Sequence, residues 1–131
     1  MAGIYALIDP DGRLEFRDGV PDRMLGNSDP SHGIPVAFTI QRAAWGGNGL
    51  QGHIGNASCL GGAYPPNRIA TGVVTALGGP QEYIFGNLTI CGSQSFSVSG
   101  APYFLCALTE AQQDLISDVH TAVSKRAANG P

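Results

Sequence analysis

Two side chains in one glycine-rich stretch are of the types used for nucleophilic catalysis: His53 and Cys59, six positions apart between Gly46 and Gly62. A thiolate beside an imidazole is the smallest set that makes a cysteine nucleophile, and a pliable loop can bring the two together. The alternative reading is that Cys59 is a small buried apolar residue and His53 a solvated loop histidine. The same stretch holds seven glycines in seventeen residues. Gly47, Gly49 and Gly52 formally match G-x-G-x-x-G, in which glycines let a pyrophosphate approach a helix start. However, the following HIGNASCLGG has no helical period, and about twenty residues on the chain has Gly72 where that fold wants an acid. No Lys-Ser or Lys-Thr follows, so a P-loop is excluded. Glycine at this density implies a backbone that turns sharply, approaches something closely or is ordered only on binding. Trp45 and Tyr64 bracket the stretch and offer faces on which a planar ligand could stack. The expected ligand-binding set is therefore Trp45, Gly47, Gly49, Gly52, His53 and Tyr64, with a nucleotide-derived molecule as the first expectation.

Other reactive residue types are explained by local structure. Asp9 and Asp11 flank a Pro in a tight turn, Asp18 and Asp22 fall in the next loop, and nothing holds either pair across a cleft as glycoside hydrolysis requires. Cys91 and Cys106 sit in apolar, strand-like runs and read as core. His32 lies in a Pro-containing connection and His120 on the polar side of a helix, so the three histidines do not make a metal site. No metal and no cofactor is expected.

Composition narrows the classes. The 131 residues suit one domain, residues 1–131, with one core. Only 13% are charged and 43% are hydrophobic, which excludes a charge-driven disordered chain and leaves an uncharged surface that favours self-association. A formal charge of −3 with seven scattered Lys and Arg lacks the footprint needed to bind a phosphate backbone, so no nucleic-acid partner is expected. Three cysteines without C-x-x-C spacing, and an N-terminal stretch without a basic region, point to a reducing cytoplasm and no membrane anchor.

The elements that must position these residues are readable from periodicity. Ile4 to Ile8 and Leu14 to Phe16 flank Asp9-Pro10-Asp11-Gly12, a hairpin. Val36 to Ile40 reads as a third strand. Asn67 is a suitable N-cap, and Ile69, Ala70, Val73, Val74 and Leu77 give one face of a helix over about 67–77, ended by Gly78-Gly79-Pro80. Tyr83 to Cys91 reads as a buried strand, with Gly86 marking a bulge. Ser93 to Gly100 and Tyr103 to Leu108 form a closing hairpin. Thr109 and Gln112 make a capping box for a second helix over about 110–126. The sum is an α+β fold, a mainly antiparallel sheet with two helices on one face and a long glycine-rich loop.

The order of features from Asn67-Arg68-Ile69-Ala70 through Ile84 to Gly92, together with Leu108-Thr109-Glu110, resembles a family of small uncharacterised proteins encoded by phages, plasmids and actinobacterial genomes. The resemblance covers about half of the chain and omits the glycine-rich insertion and Ser93 to Gly100. It implies an α+β fold and the context of a mobile element, with no catalytic residues to carry over. The functional expectation is a non-enzymatic accessory protein that binds a small molecule or a host protein, as in counter-defence. The alternatives are a cysteine hydrolase or transferase using Cys59 with His53, and an oligomeric structural protein.

Overall fold

The Asp9-Pro10-Asp11-Gly12 turn closes as its residue types require. Gly12 N donates to Asp9 O at 2.9 Å, Gly12 takes φ +88°, and Asp9 Oδ1 accepts from Arg13 N at 3.0 Å. It joins strand β1, Gly3–Ile8, to strand β2, Leu14–Gly19. In this computed structural model, which describes residues 3–19, 35–43, 47–55, 65–95 and 103–129, the elements that follow are β3 (Pro35–Gln41), β4 (Asn48–Gly55), α1 (Arg68–Ala76), β5 (Leu88–Ser95), β6 (Tyr103–Cys106) and α2 (Glu110–Asn129). The fold is α+β, a six-stranded antiparallel sheet with two helices packed together. The path runs β2-β1-β5-β4-β3, and β6 also pairs with β5.

Strand β5 is the axis of the sheet. One of its edges pairs with β4, from Asn48↔Gln94 to His53↔Thr89. Its other edge is shared end to end: β1 takes Leu88 to Ile90, and β6 takes Gly92 to Ser95. Gly92 lies at the changeover, where a Cβ would stand 2.8 Å from Ala107 O and 3.1 Å from Cys106 Sγ, so a side chain there would push β6 off the edge. The junction is tied by Leu108 N donating to Ile4 O at 2.9 Å.

Period-two alternation sends Ala6, Ile8, Leu50, Ile54, Leu88 and Ile90 to one face, where Ala70, Val73, Val74 and Leu77 of α1 and its cap and Ile116 and Val123 of α2 complete the core. Helix α1 starts at a fully buried asparagine whose side chain is satisfied three ways. Asn67 Oδ1 accepts from Ala70 N, and Nδ2 donates to Ile8 O at 3.0 Å and to Gly86 O at 2.7 Å. Gly78, at φ +96°, ends the helix, and Gly79 N donates to Val74 O. For α2 the capping box forms: Gln112 N donates to Thr109 Oγ1 and Thr109 N to Gln112 Oε1. Gln112 Nε2 also donates to Gly49 O at 2.9 Å, which ties the helix start to β4.

Two expectations are corrected. The glycine-rich stretch is not a loop over Asn48–Gly55 but a strand in the middle of the sheet. Its glycines answer to crowding: a Cβ at Gly52 would meet the Phe38 ring at 2.5 Å, and one at Gly49 would meet Ala43 N at 2.6 Å and Ser93 Oγ at 2.7 Å. Positions 56–62 lie outside the described residues. The strand expected from Tyr83 begins only at Leu88 and runs to Ser95. Before it, backbone groups are committed elsewhere: Ile84 N donates to Thr71 Oγ1, Ile84 O accepts from Asn67 N, and Gly86, at φ +81°, turns the chain and does not mark a bulge. The bulge lies in β3, between Thr39 and Gln41.

Candidate functional site

The alternation that builds the core leaves a second set of side chains on the opposite face of the sheet. Gly49, Gln51 and His53 of β4 lie there opposite Ser93, Cys91 and Thr89 of β5. Tyr5 and Cys91 are buried there with Leu105 packed against them. This face is buried yet largely polar: Gln51 is 3% exposed, His53 2% and Ser93 0%. Residues directly opposite on such a face have Cβ atoms about 5 Å apart and diagonal neighbours about 7–8 Å apart. Gln51 therefore neighbours both Ser93, across the diagonal, and His53, two positions along β4, whereas His53 and Ser93 stand four positions apart along the strands, about 13 Å at 3.3 Å per residue.

Their hydrogen bonds are only partly made. Gln51 Nε2 donates to Thr39 Oγ1 at 3.1 Å, and Thr89 Oγ1 donates to His53 O at 3.4 Å. His53 Nδ1 lies 3.9 Å from Cys91 Sγ. Gln51 Oε1, His53 Nε2 and Ser93 Oγ, all buried, have no partner among the described residues. Buried side-chain polar atoms are normally satisfied, and each one left bare costs about 1–3 kcal/mol. All three lie on this one face of β4 and β5.

The electrostatics are those of a neutral site. Burial pushes the His53 pKa down and the Cys91 thiol up, to about 12, with nearby Cys106 adding to the rise. Near neutral pH the pair is thiol and imidazole, not thiolate and imidazolium. Which of the thiol and Nδ1 donates across this contact depends on the imidazole tautomer. The described buried residues include no Asp, Glu, Lys or Arg. Arg17, on the face of Tyr5, is paired with Glu15 at 3.0 Å on exposed β2, and Glu15 chiefly holds its pKa up. Among the described residues no three His, Cys, Asp or Glu are grouped to hold a metal ion.

Of the expected site residues, His53 lies on this face, as a buried strand residue and not a solvated one. Gly49 lies in it, against Ser93, whereas Gly52 faces the other way under Phe38. Gly47 precedes β4. Trp45, Tyr64 and Cys59 lie outside the described residues. The cysteine brought to His53 is Cys91, read from sequence only as core. Gln51, Thr89 and Ser93 were missed, although alternation in LQGHI and LTICGSQS, apolar on one parity and small or polar on the other, carries the signal. His120 does not lie free on the polar side of α2: it is half-buried, and its Nε2 donates to Gly12 O at 2.7 Å, latching the helix to the β1–β2 turn. On the helical side an apolar hollow of about 90 Å³ is lined by Phe38, Ile54, Val74, Pro80 and Ile84, with Tyr83 on its rim; it presents no comparable set of bare polar groups. No described helix is long and apolar enough to cross a membrane. Comparison of the chain with protein-family models, curated proteins and solved structures finds no match.

Proposed function

We propose that this protein is a non-enzymatic binding protein for a small polar molecule, held on the sheet face opposite the helices by Gln51, His53 and Ser93. The observation that carries the reading is the presence of three buried polar atoms without a partner among the described residues on one face of the paired strands β4 and β5. A bound molecule that satisfies all three recovers the desolvation cost already incurred in folding, so the bare site is pre-organised for it. A cysteine hydrolase or transferase is the less favoured reading at this patch, because the thiol nearest His53 holds its proton to about pH 12. The resemblance to phage- and plasmid-encoded proteins supports an accessory role, in which sequestering a small signal molecule would blunt a host response.

The test compares the wild type with Ser93→Ala in thermal melts against a broad metabolite panel. A true ligand at a hundredfold its Kd stabilises the wild type by about 2.7 kcal/mol. Ser93→Ala loses that response and, by deleting an unsatisfied hydroxyl, leaves the ligand-free protein as stable or more so. A Ser93→Ala protein that is markedly less stable without ligand would mean that the hydroxyl is already bonded to an internal water, and the binding reading would fall.

A further inference from the structure

On the helical side of the sheet, apart from the face just described, we infer a second binding site: the apolar hollow beside Tyr83 takes a small molecule that ends in a methylated ammonium group, choline being the simplest. Phe38 of β3, Ile54 of β4, Val74 of α1, Pro80 and Ile84 wall this hollow, and Tyr83 adds a second aromatic ring. One charged side chain lines it, Glu82. Glu82 is exposed and makes no ion pair among the described residues. Arg68 lines an adjoining hollow that shares Tyr83 and Ile84, and not this one, so no cation within the hollow offsets the carboxylate. Apolar walls, aromatic rings and one unpaired carboxylate are the set that recognises a weakly hydrated organic cation.

Size and chemistry agree on the occupant. An apolar cavity of about 150 Å³ takes the six carbons of benzene, so the hollow's 90 Å³ takes about four heavy atoms, the number in a trimethylammonium head. A primary ammonium brings three donors and finds side-chain acceptors only at Glu82 and the Tyr83 hydroxyl. A metal ion finds one carboxylate among apolar walls, too few oxygens to replace its water. An anion is repelled by Glu82. A neutral apolar group fits the walls but makes no use of the charge. In a methylated ammonium the charge is spread over methyl groups, which pack on Ile54, Val74 and Ile84 while Glu82 and the two rings meet the charge.

Methyl NMR of the intact protein tests the site through the signals of Ile54, Val74 and Ile84. Choline should shift them saturably at millimolar concentration, in keeping with a single exposed carboxylate. The carbon analogue of choline, with tert-butyl in place of trimethylammonium, should bind about fivefold more weakly, and Glu82→Gln should weaken choline about fivefold while leaving the analogue unchanged. Ethanolamine should bind more weakly than choline. Tyr83→Ala, at a side chain already in solvent, should weaken choline without loss of stability, and Ser93→Ala, on the other face of the sheet, should bind it normally. An analogue bound as tightly as choline, or choline indifferent to Glu82→Gln, would make the hollow a plain apolar one and overturn the inference. Methyl signals that stay still, or choline binding lost in Ser93→Ala, would overturn it too. A trimethyl-lysine peptide bound far more tightly than choline would overturn the small-molecule occupant in favour of a protein.

Discussion

His53 and Cys91 show how burial, more than partner choice, sets the state of a residue. Burial keeps the imidazole neutral and the thiol protonated, and each shift is also a statement about stability. For His53 the folded pKa lies below the ordinary 6.5, so below that value the unfolded chain binds the proton first and stability falls with pH. For Cys91 the folded pKa lies near 12 against an ordinary 9.0, so above pH 9 the unfolded chain loses the proton first and stability falls again. Urea midpoints should therefore be highest between about pH 6.5 and 9, with acid-side losses of at most about 1.4 kcal/mol per pH unit from this histidine. His53→Gln should flatten the part of the acid-side loss that belongs to it, and an unchanged slope would contradict the burial argument. Asn67 is the opposite kind of buried polar residue, satisfied on both donors and its acceptor. Asn67→Ala removes the cap and leaves Ile8 O and Gly86 O short of a donor, a loss of roughly 2–5 kcal/mol, to be read from chemical denaturation.

At the scale of the element, α1 has one face for the sheet and one for solvent. Val73, Val74 and Leu77 are buried, whereas Thr75 is exposed and its hydroxyl only bonds back to Thr71 O. Leu77→Ala should cost about 2–5 kcal/mol as a large-to-small core change, and Thr75→Ala should be near neutral. Equal effects would mean the helix packs by another face. Strand β4 shows why its composition misleads. Glycine is disfavoured in strands on its own account, but at Gly52 the Phe38 ring occupies the space of a side chain, and at Gly49 the backbone near Ala43 does. The penalty is local and the packing that offsets it is contributed by β3, which no reading of GGNGLQGHIG alone could include.

For the whole molecule, low charge and several apolar side chains left in view, Tyr83 at 85% exposed among them with Phe104 and Leu115, support the proposal that the protein self-associates. Light scattering should give a mass above that of one 13.5 kDa chain at high concentration, and a monomer throughout would end that proposal. The two helices, the first hairpin, β3 and the capping box at Thr109 and Gln112 were legible in the sequence, because periodicity, turn residues and caps act within a few residues of one another. His53 was also legible as a candidate, by residue type. Its neighbours were not: Gln51, Cys91 and Ser93 acquire meaning only when β4 and β5, some forty residues apart in the chain, pair in one register, since a slip of one residue would put Gln51 on the face opposite Cys91 and Ser93. The sequence by itself determined the local elements and the neutral, charge-poor character of the chain; the tertiary structure decided which strands meet, and with that which polar atoms are buried together and left unpaired.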